Sequence, residues 1–167
     1  MNKTRAALSG VILFAVIFSL LLLFWTPANT DNSHQKKAAD FTLTTFDGEK
    51  ITLSKLKDKP VVLNFWASWC GPCREEGEAL EATWQKYKDK IYFLGLNYRD
   101  NKKDALAFIK EFKVTYPNGP DEDNISSDYG LTGVPETFVV NTDGEITEHI
   151  LGATTLETLS EAIDKVL

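Results

Sequence analysis

This chain predicts an α/β fold built on a mixed sheet, and three observations lead there. Two unbroken apolar runs, "VVLNFW" at 61–66 and "IYFLGLN" at 91–97, each precede a stretch with helical apolar spacing. The chain then makes two strand-like runs around "TDGE". It closes on a third amphipathic segment. A strand–helix–strand–helix series followed by a hairpin and a helix gives a sheet that is parallel through its crossovers and antiparallel at the hairpin.

Each element has its own justification. Phe41 and Leu43, then Ile51 and Leu53, alternate on either side of Asp47-Gly48, which predicts an N-terminal β-hairpin. Pro60 opens the first apolar run, whose continuity marks a strand buried on both faces. Leu80, Trp84 and Tyr87 stand at i, i+4, i+7, so a helix runs from the cysteines to about Lys88. Ala105, Phe108, Ile109 and Phe112 give a second helix, an extra central one after the second buried strand. Residues 116–123 are rich in turn formers, with a short helix predicted near Ile125–Tyr129. "ETFVVN" at 136–141 and residues 145–151 form the closing hairpin. Thr154 and Glu157 have capping-box spacing ahead of a terminal helix carrying Leu156, Leu159, Ile163 and Val166.

The bulk numbers limit the function. A chain of 167 residues holds one ordinary domain with some length to spare. The net charge is −6, and from Ala38 onward 14 Lys plus Arg stand against 23 Asp plus Glu, a net of −9. That is no footprint for a nucleic acid, and a monomer is expected. The spare length is N-terminal. Ala6 to Trp25 is 20 residues without a charge, preceded by Lys3 and Arg5. About 20 apolar residues cross a bilayer as a helix, and the basic flank stays cytoplasmic. We therefore read 1–28 as a single-pass anchor in the cytoplasmic membrane, 29–39 as a polar tether and 40–167 as the folded domain on the extracytoplasmic side. The alternative for 1–28 is a signal peptide cleaved at "TPA", Thr26 to Ala28.

Cys70 and Cys73 are the only cysteines, in "NFWASWCGPCREEGEAL" at 64–80. Cys70 directly follows a buried strand, and Cys73 falls in the first turn of a helix. Unpaired N–H groups and the positive dipole end at a helix start favour a thiolate at Cys70, the form that attacks disulfides. Cys73, one turn on, is placed to close a disulfide with it. Pro72 suits the start of the helix, where its missing N–H costs nothing. Gly71 lets a substrate approach, and Trp69 can pack beside the sulfur to shape a flat docking surface. Zinc needs four ligands, and the two histidines are distant: His34 in the tether and His149 in a strand. Haem attachment needs His after the second cysteine, and Arg74 stands there. The one-cysteine peroxidase setting Pro-x-x-x-Thr-x-x-Cys is also missing, since Pro60 lies ten residues upstream and no Thr intervenes. Thiol–disulfide exchange is the favoured reading. A structural disulfide, a zinc site and a peroxidase are the weaker ones.

"WCGPC" on a strand-to-helix turn resembles thioredoxin. Residues 41–76, "GLNYRD" and "GVPETFVV" together resemble the membrane-anchored thioredoxin-like proteins of the TlpA, ResA and DsbE/CcmG group, over 38–167. The resemblance implies a thioredoxin fold and an extracytoplasmic thiol–disulfide reductase, often one serving c-type cytochrome maturation. It makes Cys70 the attacking and Cys73 the resolving cysteine. Pro135 becomes a cis-proline facing the disulfide, and Val134 offers its backbone to the substrate. Thioredoxin's buried Asp, six residues before the first cysteine, is replaced by Asn64, which cannot titrate. The group instead has an acid three residues after the second cysteine, here Glu76, placed to take the proton of Cys73 and expected to have a raised pKa. Glu136, beside Pro135, is shared with the group and is a candidate substrate-binding residue. One departure is Gly77-Glu78, where thioredoxin has a helix-kinking proline at the second position.

The resulting expectation is an anchored reductant of disulfide-bearing envelope proteins, such as apocytochrome c. It needs no cofactor and is re-reduced by a membrane thiol protein. The rival is a non-catalytic anchored chaperone that grips apocytochrome or copper through the same thiols.

Overall fold

A computed structural model describes residues 36–167; the apolar segment 6–25 and His34 lie outside the described residues. The strands are β1 (Thr42–Thr44), β2 (Lys50–Thr52), β3 (Val61–Trp66), β4 (Tyr92–Asn97), β5 (Asn118–Pro120), β6 (Glu136–Val140) and β7 (Ile146–Leu151). The helices are α1 (Gly71–Tyr87), α2 (Lys102–Glu111), α3 (Ile125–Asp128) and α4 (Leu156–Asp164). The five-stranded sheet has the order β5-β4-β3-β6-β7. β3, β4 and β5 run parallel, and β6 and β7 run antiparallel. β1 and β2 form the separate antiparallel hairpin, with Gly48 at φ 95° in its turn. The fold is thioredoxin-like, with mixed sheet, N-terminal hairpin and extra central helix where the sequence puts them.

β3 is the centre of the sheet, and all six of its residues are buried. Val61, Leu63 and Phe65 pack with Leu43, Leu94, Tyr129 and Phe138 on one face. Val62 packs with Leu80, Phe93, Leu159 and Ile163 on the other. Adjacent strand residues point to opposite faces, so a central strand covered on both sides reads as an unbroken apolar run. A third cluster, Trp66, Ala67, Cys70, Cys73, Ala105 and Phe108, closes the end where β3 meets α1.

Four local features add to or differ from the sequence expectation. β5 lies in the stretch read as turn, because Asn, Gly and Pro carry no strand signal. It pairs with β4 through close approach: a Cβ on Gly119 would stand 2.3 Å from the Thr44 carbonyl oxygen, and one on Gly95 1.8 Å from Asn118 Oδ1. The cap of α4 is Thr155, whose hydroxyl accepts from the Thr158 N–H at 3.2 Å, so the Thr154–Glu157 capping box does not form. Gly77 does not interrupt α1. It lets the helix approach the Phe112 ring, which a Cβ there would meet at 2.7 Å. Lys36 and Ala38, within the stretch read as tether, bond to the β7 strand and its turn (Ile146 N–H to Lys36 O and Ala38 N–H to Gly144 O, both 2.9 Å).

Candidate active site

The site forms where β3 ends and α1 begins. Cys70 is the N-cap of α1, in extended backbone, and its Sγ accepts the Cys73 N–H at 3.1 Å. The two cysteines are joined in a disulfide, and Cys70 Sγ lies 3.4 Å from the Val134 carbonyl oxygen. An amide donor and the helix N-terminus both stabilise negative charge on that sulfur once the bond is reduced. The loop before it is held from β4. Asp100 accepts from Ser68 N–H (2.7 Å), Ser68 Oγ (3.0 Å) and Asn97 Nδ2 (3.0 Å). Burial raises the Asp100 pKa, and these donors outweigh it, leaving the carboxylate below its ordinary value.

The predicted residues surround the disulfide unevenly. Trp69 is 61% exposed, with its indole N–H on the Arg99 carbonyl at 3.2 Å. Gly71 and Pro72 are exposed in the first turn of α1, and space is open where a Gly71 side chain would stand. The Val134–Pro135 peptide is cis, and Val134 is half-buried. Trp69, next to Cys70 in the chain, is thus exposed, and the Val134 carbonyl stands against the Cys70 sulfur.

Glu76, one helical turn past Cys73, is buried against the sheet at 1% exposure. Its Oε1 accepts from Asn64 Nδ2 at 2.9 Å, and its Oε2 accepts from the Thr154 N–H at 2.8 Å. Asn64 Nδ2 also reaches Thr137 Oγ1 at 3.0 Å, while Asn64 Oδ1 is buried with no partner among the described residues. Burial pushes the Glu76 pKa up to about 7, with the Thr154 and Asn64 donors pulling the other way. Neither Thr154 nor Thr137 is legible in the sequence as part of the Glu76 network. Thr154 acts through its backbone, so its side chain carries no signal, and Thr137 reads as an ordinary strand residue.

Glu136, unlike Trp69, Gly71 and Pro72, is not exposed beside the disulfide. It is 2% exposed, on the opposite sheet face from Glu76, because Asn64 faces Thr137 across the β3–β6 ladder and Phe65 faces Glu136. Its Oε1 accepts from Thr132 N–H (2.8 Å), Thr132 Oγ1 (2.7 Å) and Gly133 N–H (3.0 Å). Its Oε2 meets His149 Nε2 at 2.7 Å. Burial raises its pKa, but these donors prevail and keep it below the ordinary value. His149 is therefore a partner of Glu136. Among the described residues, no group of three or more His, Cys, Asp and Glu is placed to hold a metal, and no helix is long and apolar enough to cross a membrane.

Comparison with known proteins agrees with this geometry. The AhpC/TSA family matches residues 34–149. The thioredoxin-like protein YneN of Bacillus subtilis is 32% identical over 162 residues, covering 90% of this chain and 95% of YneN. The thiol–disulfide oxidoreductase ResA of Bacillus thuringiensis is 32% identical over 172 residues, covering 99% of each. A secreted Mycobacterium tuberculosis disulfide oxidoreductase homologous to E. coli DsbE superimposes with a TM-score of 0.68 at 26% identity, covering 75% of this chain and 95% of that one. With its paired cysteines at a strand-to-helix turn, this chain belongs to the AhpC/TSA family and, within it, to the ResA/DsbE type of thiol–disulfide oxidoreductase.

Proposed function

We infer that the protein works as a reductant of disulfides in envelope proteins, apocytochrome c among them, with Cys70 as nucleophile and Cys73 as resolving thiol. The observation that carries the direction is Glu76, a buried carboxyl with a pKa near neutrality one turn behind Cys73. A base of that strength exchanges protons with a thiol at neutral pH. Held as a carboxylate, it also disfavours a second negative charge on nearby sulfur. Both effects suit a pair that must give up electrons rather than hold them.

The reduced enzyme begins with a Cys70 thiolate. It attacks one sulfur of the substrate disulfide, whose S–S bond breaks. The leaving thiolate takes a proton from solvent, and a mixed disulfide forms on Cys70. Cys73 then passes its proton to the Glu76 carboxylate and attacks Cys70 Sγ. The Cys70–Cys73 bond closes, and the second substrate thiolate leaves and is protonated. The substrate gains two electrons from the two cysteines and two protons from solvent, and Glu76 then returns the Cys73 proton to solvent. Neutral Glu76 has an acceptor ready, since an amide flip turns the unpartnered Asn64 Oδ1 toward it. Trp69 and the Val134 backbone hold the substrate segment, and Gly71 and Pro72 leave the approach open.

A dithiol donor in the membrane must restore the reduced form, because the extracytoplasmic side lacks the cytosolic reducing supply. The apolar stretch 6–25 with its basic flank supports that location, as does the secreted relative. Trapping tests the reading. Cys73→Ser should accumulate a mixed disulfide on Cys70 with its substrate, identifiable by mass spectrometry. A reduction potential in the range of a strong oxidant would refute the direction.

A further inference from the structure

Glu136 and His149 lie on the sheet face away from Glu76, and the exchange chemistry above gives them no part. A buried carboxylate is costly unless it is fully hydrogen-bonded. Here one oxygen gathers three donors from two consecutive loop residues, Thr132 and Gly133. Those residues lead directly into Val134 and Pro135, and the Val134 carbonyl is the backbone group 3.4 Å from Cys70 Sγ. The other carboxylate oxygen is held from β7. An ionised carboxylate only accepts, so His149 Nε2 carries the hydrogen of the 2.7 Å bond. The imidazole is itself fixed by stacking on Phe138, with centroids 4.0 Å apart and planes 15° apart. A continuous chain of contacts runs from β7 through His149 and Glu136 to the loop beside the sulfur.

We propose that His149 and Glu136 are positioning residues for the reaction at Cys70: together they clamp loop 132–135 so that the Val134 backbone edge stands ready to pair with the substrate. This rests on the proposed function, in that a protein substrate docks along that edge. Loosening the clamp lets the edge wander, which weakens docking of a peptide chain and leaves sulfur chemistry intact. A disulfide without peptide groups has no need of the edge.

The test uses the reduced full-length protein with two substrates: insulin, and dithiodipyridine, an aromatic disulfide with no backbone. For His149→Ala, loss of one charge-assisted hydrogen bond predicts a rise of about tenfold in KM for insulin. The kcat and the dithiodipyridine rate should stay within about twofold of wild type, because neither uses the edge. His149→Gln, whose side-chain amide can donate to the carboxylate, should recover most of the loss. Amide hydrogen exchange at Thr132 and Gly133 should quicken in His149→Ala and not in His149→Gln. Thr132→Val removes one donor at the exposed loop without touching the core. It should move the same readouts the same way, and it carries the test if His149→Ala does not fold. An unchanged KM, an equal loss with both disulfides, or unchanged exchange at Thr132 and Gly133 would overturn the proposal. A wild-type protein inert toward both disulfides refutes the functional reading instead, and amide exchange then decides the clamp alone.

Discussion

Replacing Glu76 by Gln should flatten a pH dependence of stability that the wild type carries. In the folded protein the Glu76 carboxyl has its pKa raised from an ordinary 4.5 to about 7, chiefly by burial. The folded state therefore holds this proton more tightly than the unfolded chain does. The contribution of the group is complete below pH 4.5 and is lost as pH rises toward 7. At about 1.4 kcal/mol per pH unit, the difference comes to roughly 3 kcal/mol between pH 4.5 and pH 8. The side chain is 1% exposed, so solvent screening does little to reduce it. Urea unfolding of the oxidised protein at pH 5 to 8 reads it directly, because neither cysteine titrates while the disulfide is closed.

Glu76→Gln removes the titration and so the slope. It also shifts the baseline, since both present partners of the carboxylate, Asn64 Nδ2 and the Thr154 N–H, are donors. An amide at position 76 satisfies one and opposes the other unless Asn64 flips to present Oδ1. That shift does not depend on pH, so the difference between the two slopes isolates the carboxyl. In stopped-flow release of substrate from the mixed disulfide, the wild-type rate should rise through an inflection near pH 7. The variant should lose that inflection and run about a hundredfold slower, the lower range for a positioned base. Parallel slopes in unfolding together with an unmoved inflection would refute the assignment of Glu76 as the proton acceptor.

The other expectations are narrower. Asn64→Asp sets a second carboxylate where Nδ2 now donates to Glu76 at 2.9 Å; the pair should share a proton, and denaturant midpoints should fall steeply above pH 7. Gly77→Ala gains about 1 kcal/mol of helix propensity but forces Cβ against the Phe112 ring, for a net loss of roughly 1–2 kcal/mol by urea unfolding. Trp69→Ala, at a 61% exposed position, should change stability by less than about 0.5 kcal/mol while raising KM for a protein disulfide several-fold.

The sequence carried most of this architecture, for identifiable reasons. β3 announces itself because a strand covered on both faces needs apolar side chains on both. α1 announces itself because Leu80, Trp84 and Tyr87 must share one stripe. β5 did not, since Asn118, Gly119 and Pro120 are chosen for close approach to Thr44 and β4, not for strand propensity. The cap of α4 was misplaced by one residue because Thr154 and Thr155 are alike in sequence, and only the demand of Glu76 for the Thr154 N–H separates them.

By itself the sequence determined the chemistry: two thiols three residues apart between a buried strand and a helix, with neither a third metal ligand nor a haem histidine nearby. Those facts are local, and local spacing expresses them. The tertiary structure decided how the two glutamates differ. Each is an acid close in sequence to a site residue, yet one meets two neutral donors and is pushed toward neutrality, while the other meets four and stays ionised. The partners that separate them, Thr154 in the loop before α4 for Glu76 and His149 in β7 for Glu136, stand 78 and 13 residues away and meet them only in the folded chain. Burial sets the cost of each charge and hydrogen bonds set its compensation. Burial in both cases, and the Thr154 and His149 bonds, depend on contacts that only the folded chain makes.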